Sequence, residues 1–174
     1  MNKNKTIQRL TAMMLSIIMA VGMMPVSAAS AEAEVTYVDE NGVLRTVAAT
    51  VIENATTALT NEWYVVEGNV NTTNLTLANP RVKLILTDGC TLTASATGDK
   101  AAIELFNGNT LTIYGQALGT GTLTATGSGR GAGIGGSGGA DGSEWEAAED
   151  GGNSGSLTVV GGSVIANRIG GGDG

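Results

Sequence analysis

Three short segments of this chain share one pattern, in which a glycine precedes alternating apolar and hydroxyl or other small residues. They read GCTLTA, GNTLTI and GGSVIA, and they begin at Gly89, Gly108 and Gly161. Alternation with period two predicts half-buried β-strands, and the glycines between them predict turns. When the glycines are aligned, one apolar position is shared by Leu92, Leu111 and Val164. The repeat therefore predicts stacked strands rather than helices.

A longer similarity relates residues 121–136 to residues 155–171, about 34 residues further along, and each contains an isoleucine followed by two glycines. The first two short segments are 19 residues apart. A period near 20, with two or three strands and glycine or asparagine corners, predicts an all-β parallel β-helix, a solenoid of four to six coils. A β-sandwich and a β-propeller are the alternative folds. The inward-facing core predicted by the repeat is Leu92, Leu111, Leu123, Ile134, Leu157, Val164 and Ile169.

Residues 32–62 are richer in charge and poorer in glycine than residues 63–174. They contain Asn41-Gly42 between two β-prone runs, which is a strong signal for a β-hairpin whose two turn residues adopt positive φ. We therefore predict a small N-terminal β cap over residues 32–62 and β-helix repeats over residues 63–174. Trp63 and Tyr64, at the start of the repeats, are expected to be core or cap residues.

Residues 1–31 have the pattern of a secretory signal peptide. Lys3, Lys5 and Arg9 precede an uncharged apolar run from Leu10 to Met24, and small-residue cleavage sites follow. The run of about 15 residues is shorter than the ~20 residues that a membrane-spanning helix needs. The sequence thus predicts a secreted or cell-surface protein with no membrane segment after cleavage.

The charge of the chain argues against several classes of partner. Its formal net charge is −7, and without residues 1–31 six basic and sixteen acidic residues leave −10. Such a chain is expected to bind neither nucleic acid nor anionic lipid. Histidine is absent, which removes Ser-His and Cys-His nucleophile pairs. The single cysteine, Cys90, shares parity with Leu92 and is expected to be a buried apolar residue.

The stretch GAGIGG contains Gly131, Gly133 and Gly136 in the spacing G-x-G-x-x-G of a dinucleotide-binding turn. Such a turn needs a following helix, whose N-terminus binds the pyrophosphate. The residues after Gly136 are SGGADGS, and repeated glycine disfavours a helix. We therefore predict no nucleotide site, and interpret the glycines as a corner of the repeated coil with Ile134 pointing inward.

An acidic loop over residues 138–155 follows this corner and carries the predicted ligand-binding residues. Calcium takes carboxylate oxygens, and Asp141, Glu149 and Asp150 are the candidate ligands, although their spacing fits neither an EF-hand nor a nonapeptide calcium repeat. No other cofactor is expected. A solvated loop without a metal is the alternative interpretation.

Trp145 lies in the same loop among polar residues. An exposed aromatic ring can stack on a sugar ring while nearby carboxylates accept bonds from its hydroxyl groups, and the alternative is that Trp145 folds back as a lid. The candidate glycan-binding residues are Trp145, Asp141, Glu144 and Glu146.

Catalysis has little support in the sequence. Enzymes with this fold cleave polysaccharides through converging carboxylates or through calcium with a basic residue. The candidate groups are Asp88, Asp99 and Glu104, with Arg81, Lys83 and Lys100 as the nearby basic residues. Because nothing in the sequence brings these groups together, we assign no catalytic residues.

The segments WYVVEGNV, VKLILTDGCTLTAS, GNTLTIYGQALGTGTLTATG and AGIGG resemble the large secreted β-helical surface proteins of gut-type Firmicutes. The similarity extends from about Tyr37 to the C-terminus. It implies a right-handed parallel β-helix at the cell surface, within a longer polypeptide that continues beyond Gly174. It also implies an adhesin-like scaffold that binds a glycan or another surface ligand. A fragment of a β-helical polysaccharide lyase or glycoside hydrolase is the alternative.

Overall fold

The computed structural model describes residues 31–139 and 150–173, and every regular element in these ranges is a β-strand. The chain is all-β, as predicted. The strands are β1 (Glu32–Val38), β2 (Leu44–Val51), β3 (Ala58–Leu59), β4 (Trp63–Val66), β5 (Asn69–Thr73), β6 (Leu75–Leu77), β7 (Arg81–Leu86), β8 (Thr91–Ser95), β9 (Ile103–Glu104), β10 (Thr110–Gly115), β11 (Thr122–Thr126), β12 (Ile134–Gly135), β13 (Ser156–Val159), β14 (Ser163–Ala166) and β15 (Ile169–Gly170).

These strands form three sheets, and from β3 onward each strand pairs with the strand three places later in the chain. Sheet A has the order β1-β2-β4-β7-β10-β13, sheet B has β3-β6-β9-β12-β15, and sheet C has β5-β8-β11-β14. Four successive units of three strands begin at β4, β7, β10 and β13, and each visits sheets A, C and B in that order. All strand pairs are parallel except β1 with β2. The parallel sheets agree with the all-β prediction.

One apolar core lies on the inward side of all three sheets. Strand β10 shows the alternation that produces it, since Leu111 and Ile113 enter this core while Thr110 and Thr112 point outward. Neighbouring strands place inward residues in register, so Leu92 pairs with Leu123 and Leu123 with Val164. Cys90 is buried in the same core, as predicted.

The repeat alignment that placed Leu111 with Leu92 and Val164 is wrong. Leu111 belongs to sheet A and pairs with Val82 and Leu157, whereas Leu92 and Val164 belong to sheet C. Successive residues of the sheet C row are 22, 31 and 41 positions apart, so the period near 20 fails as well. Strands of sheet A and of sheet C both alternate between inward and outward residues. The segments CTLTA and NTLTI therefore fit a strand of either sheet. Sequence similarity therefore identified strands without identifying their sheets.

The lengths of the connections explain the variable period. The connection from sheet C to sheet B is one residue long after β5 and seven residues long after β8. The connection from sheet B to sheet A is longest between β12 and β13, over residues 136–155. Because the paired strands keep their register, these connections absorb the differences in unit length.

Burial of the predicted core residues declines toward the last unit. Leu92, Leu111, Leu123 and Ile134 are fully buried, while Leu157 and Val164 are half-buried against the core. Ile169 pairs with Ile134 in sheet B, but its side chain is 57% exposed. Its strand β15 is the terminal strand of sheet B. Inward residues of the interior units are therefore covered by a neighbouring unit on both sides, whereas those of the last unit are covered on one side only.

The hairpin predicted at Asn41-Gly42 is formed by β1 and β2. The N–H of Gly42 donates to the Asp39 carbonyl, and Gly42 has φ +75°. Asn41 is not in the positive-φ region, contrary to the prediction for both turn residues. The five-residue connection needs only one left-handed residue, where a two-residue turn would need two.

The hairpin packs on the outward side of strands β4, β7 and β10. The end of β2 pairs in parallel with β4, so that Thr50 lies beside Tyr64. A second apolar cluster joins the hairpin to outward residues of the sheet, and it contains Val35, Ala49, Val65, Ile85 and Tyr114. Sheet A is therefore apolar on both sides where the hairpin contacts it.

The predicted signal peptide falls almost entirely on residues 1–30, which lie outside the described residues. Within the described ranges, no helix has the length and apolarity required to cross a membrane.

Candidate functional site

Most of the acidic loop lies outside the described residues. This applies to Asp141, Glu144, Trp145, Glu146 and Glu149. Asp150 is described and is exposed. Across residues 31–139 and 150–173, no three acidic or cysteine residues come close enough together to hold a metal ion.

Asp88 has a clear structural role. Its two carboxylate oxygens accept bonds from the N–H groups of Leu118 (3.1 Å) and Thr120 (3.3 Å) in the following unit. The backbone N–H of Asp88 donates to the Gln116 side chain at 2.9 Å. The residue thus links the sheet A to sheet C corners of two successive units.

Asp99 and Glu104 are also engaged within the protein. The Asp99 carboxylate accepts from the backbone N–H of Arg130 at 3.0 Å. The Glu104 carboxylate accepts from the hydroxyl of Ser137 at 2.6 Å and from that of Thr76 at 3.4 Å. Like Asp88, these two groups link successive units, and each has its own partners. The three candidate catalytic carboxylates are not brought into one acidic cluster.

The glycines of the G-x-G-x-x-G stretch serve close packing. The N–H groups of Gly131, Ile134 and Gly136 donate to carbonyl groups of the protein itself. A Cβ atom at Gly131 would overlap the Lys100 carbonyl of the preceding unit. These amides are therefore engaged inside the stack, where a dinucleotide-binding turn would present them to a pyrophosphate.

The residues that make the best candidate site lie on the outward side of sheet A. Outward residues of β7, β10 and β13 lie in register there and form two rows, each of which crosses the three strands. We call these six side chains the polar strip, and all of them are exposed or half-exposed. The first row is Arg81, Thr110 and Ser156, and the second row is Lys83, Thr112 and Thr158.

An aromatic cluster borders the polar strip. Trp63 of β4 pairs with Lys83 and so extends the second row by one strand. The ring centroids of Tyr37, Trp63 and Tyr114 are 4.8 to 5.6 Å apart. Tyr37 and Trp63 are half-exposed, whereas Tyr114 is buried beneath the hairpin. The cluster joins the hairpin to the sheet and forms an apolar edge beside the polar strip.

The charges near the strip are nearly balanced. The Lys83 ammonium lies 4.7 Å from the centre of the Trp63 ring and 2.7 Å from a Glu62 carboxylate oxygen. The Tyr114 hydroxyl donates to Glu40 at 2.6 Å, and this bond lowers the pKa of the Glu40 carboxyl. Burial raises the pKa of Tyr114, and the Glu40 carboxylate adds to the effect. At neutral pH this edge therefore carries a neutral phenol beside an ionised carboxylate.

Together these residues offer the groups that a carbohydrate needs. Hydroxyl groups and basic side chains can bond to sugar hydroxyls, while aromatic rings can contact the apolar C–H groups of a sugar. Half-exposed Tyr37 provides aromatic surface, while Trp63 is contacted by two tyrosine rings and by Lys83. The site is an open surface with mixed polarity.

The sequence alone does not identify this site, although it contains part of the signal. Trp63 is predicted to be a core or cap residue, and it packs against the cluster that joins the hairpin to sheet A. It has the outward parity of its strand, because Tyr64 and Val66 enter the inner core. The register that places Thr112 beside Lys83 was not available from the alternation alone. The contact of Tyr37 with Tyr114 depends on how the hairpin folds over the sheet.

No family model, curated protein or solved structure matches the chain.

Proposed function

We propose that this protein is an exported surface scaffold, an adhesin-like module that binds glycans on the outward side of sheet A. Its proposed fold is a right-handed parallel β-helix of four coils with a small N-terminal β cap. Support for the coils comes from the constant order A, C, B and the parallel register of successive units. Right-handedness is the usual hand of a connection between parallel strands of one sheet.

A stacked solenoid is well suited to display. Each unit bonds mainly to its neighbours, so that the backbone of paired strands forms a continuous rod. Corner side chains such as Asp88 and Asp99 add bonds between units. Export is supported by the basic, apolar and small-residue pattern of residues 1–31. The scaffold contains one buried cysteine, so its proposed stability in an oxidising environment depends on packing rather than on disulfides.

The observation that carries the glycan proposal is the aromatic cluster beside the polar strip. Aromatic surface and hydrogen-bonding groups lie within one sheet face, and the hydroxyl groups of Thr110 and Thr112 lie on the same strand. A glycan can use both kinds of contact together. The regular sheet holds these groups in fixed positions, which lowers the ordering cost of binding.

The test is a glycan array with the purified protein and two matched variants. Thr112→Glu places a longer, charged side chain in the polar strip, and we expect binding to fall at least about tenfold. Thr124→Glu is the control, because Thr124 occupies the same T-L-T pattern and also points outward, but from sheet C. Equal binding by both variants and the unmodified protein would refute the proposed location.

The acidic loop is a second possible location for the same activity. The candidate residues there are Trp145, which would stack on a sugar ring, and Asp141, Glu144 and Glu146. Trp145→Ala should leave array binding unchanged if the polar strip is the site. A loss in that variant, with Thr112→Glu unaffected, would move the site to the loop.

The enzyme alternative is tested by reducing-sugar release from pectin, mucin and alginate. The scaffold proposal predicts no release above a heat-treated control. Release that is lost on replacing Asp88, Asp99 or Glu104 would establish a lyase or hydrolase instead. Melting curves of each variant would exclude unfolding as the cause.

A further inference from the structure

We infer that the polar strip binds an extended neutral polysaccharide that lies along the stacking direction and crosses β7, β10 and β13. This inference rests on the proposed glycan binding and specifies its ligand class and orientation. It follows from the shape of the strip, from its borders and from its local charge.

The shape of the strip favours a chain that crosses the strands. Neighbouring strands are ~4.8 Å apart, and outward residues along one strand are ~6.7 Å apart. The row that begins at Trp63 and ends at Thr158 crosses four strands and is therefore ~14 Å long. Along the direction of each strand, the strip is only two outward residues wide. The six side chains of the strip therefore span ~10 Å along the stack and ~7 Å along the strands, and the row that continues to Trp63 is about twice as long as the strip is wide.

The borders of the strip favour the same orientation. The next outward row, which includes Ile85 and Tyr114, is buried by packing with the hairpin. On the other side, Arg81 and Thr110 are the first residues of their strands. A ligand lying along one strand would run into the hairpin after two residue positions. A ligand lying across the strands meets equivalent outward positions in three successive units.

The charges favour a neutral ligand. Lys83 is paired with Glu62, and Glu40 lies on the hairpin near the aromatic cluster. Arg81 has no ion pair among the described residues, which leaves one guanidinium to bond to sugar oxygens. The remaining four side chains of the strip are uncharged hydroxyls. A polyanionic ligand could form one ion pair, with Arg81, while the net charge of −7 on the chain would repel it. Neutral hydroxyl groups match this set without that repulsion.

The experiment measures affinity against ligand length and charge by isothermal titration calorimetry. The neutral probes are β-1,4-linked glucose, mannose and xylose oligomers of two to six units, and galacturonic acid oligomers of the same lengths are the acidic probes. We expect at least one neutral series to gain about tenfold in affinity between two and four units and then to level off. We expect the galacturonic acid series to bind more weakly than that neutral series.

Two variants test the orientation. Thr158→Glu alters the far end of the strip and should remove most of the gain between two and four units. Ser163→Glu is its control, since Ser163 points outward from the adjacent strand β14 in sheet C. We expect this control to keep the full length dependence, with the same melting temperature as the unmodified protein.

The outcomes separate the inference from the proposed function. Stronger binding of the acidic oligomers, or affinity that is independent of length, would overturn the inference while leaving glycan binding intact. A length dependence that survives Thr158→Glu would overturn the orientation. If none of these oligomers binds and the glycan array is also negative, the proposed function itself fails.

Discussion

Gly131 and Gly108 both lie between strands, but the space around their α-carbons differs. A Cβ atom at Gly131 would overlap the Lys100 carbonyl and would lie 2.8 Å from the Ala101 nitrogen. Gly108 has open space at this position and has φ +88°. The first glycine therefore permits close contact between two units, while the second permits a left-handed turn.

The two glycines should respond differently to alanine. Gly131→Ala must displace the backbone of the neighbouring unit, and we expect it to lower the free energy of unfolding by about 2–4 kcal/mol. Gly108→Ala adds only the strain of a left-handed alanine, about 1–2 kcal/mol. Urea unfolding measures both values. Equal losses, or a smaller loss for Gly131→Ala, would contradict the close contact.

Asp88 provides a residue-scale test of the bonds between units. Replacing it by alanine removes both acceptors for the N–H groups of Leu118 and Thr120, and each bond contributes about 0.5–1.5 kcal/mol. We expect Asp88→Ala to lower the free energy of unfolding by about 1–2 kcal/mol. Asp88→Asn keeps one acceptor oxygen and should lose about half as much. Thermal unfolding at neutral pH distinguishes these values, and a fully stable Asp88→Ala would refute the structural role.

Part of the residue-scale description could be predicted from the sequence, and part could not. The burial of Cys90 follows from its sharing parity with Leu92, two positions along the chain, which is a local property. The partners of Asp88 lie about 30 positions later, in a connection whose length varies from unit to unit. Predicting these partners requires the sheet register, so the sequence alone leaves Asp88 as a catalytic candidate. The aromatic cluster was missed for the same reason, because it joins residues of β1, β4 and β10.

At the scale of elements, the β1–β2 hairpin is held by titratable groups as well as by apolar contacts. The Tyr114 hydroxyl lowers the pKa of Glu40. The N–H of Val43, followed by the Arg45 side chain, lowers the pKa of Asp39 in the same hairpin. A carboxyl whose pKa is lowered by folding stabilises the fold above its ordinary pKa, and that stabilisation is lost as pH falls through the lowered value. Acid should therefore weaken the attachment of the hairpin.

Tyr114→Phe isolates the Glu40 contribution from that of Asp39. At neutral pH we expect faster amide hydrogen exchange in β1 and β2 of this variant than in the unmodified protein. The difference should shrink as the pH falls from the ordinary pKa of a glutamate through the lowered pKa of Glu40, below which this carboxyl is protonated in both proteins. Exchange measured by mass spectrometry at several pH values provides the test. A difference that grows with acid would contradict the assigned sign.

The elements themselves were well predicted wherever their signals were local. Asn41-Gly42 between two β-prone runs identified the hairpin, and alternation identified strands such as β8 and β10. Their assignment to sheets failed, because CTLTA and NTLTI have the same alternation but lie in sheets C and A. Both sheets contribute an inward side to one core, so the hydrophobic pattern contains no information about which sheet a strand joins.

The whole molecule is organised by pairing between units rather than by a fixed period along the chain. Strands β8, β11 and β14 keep their register although the intervals between them are 31 and 41 residues. Connections of different length are therefore compatible with one stack. This arrangement allows the acidic loop to be inserted between β12 and β13 while β10 still pairs with β13. The stack tolerates insertions because its backbone bonds link units that are distant in sequence.

Disulfide trapping tests this register directly. Thr93 and Thr124 are outward neighbours on paired parallel strands, so their α-carbons are ~4.8 Å apart, within the ~4.4–6.8 Å that a disulfide spans. In a Cys90→Ala background, Thr93→Cys with Thr124→Cys should form a disulfide under mild oxidation. Thr93→Cys with Thr112→Cys is the matched control, because the glycine alignment makes these two threonines neighbours while the sheets separate them. Peptide mass spectrometry without reductant identifies the bond. Efficient bonding in the control pair would show that the unit repeats with the short sequence period, and it would overturn the three-sheet arrangement.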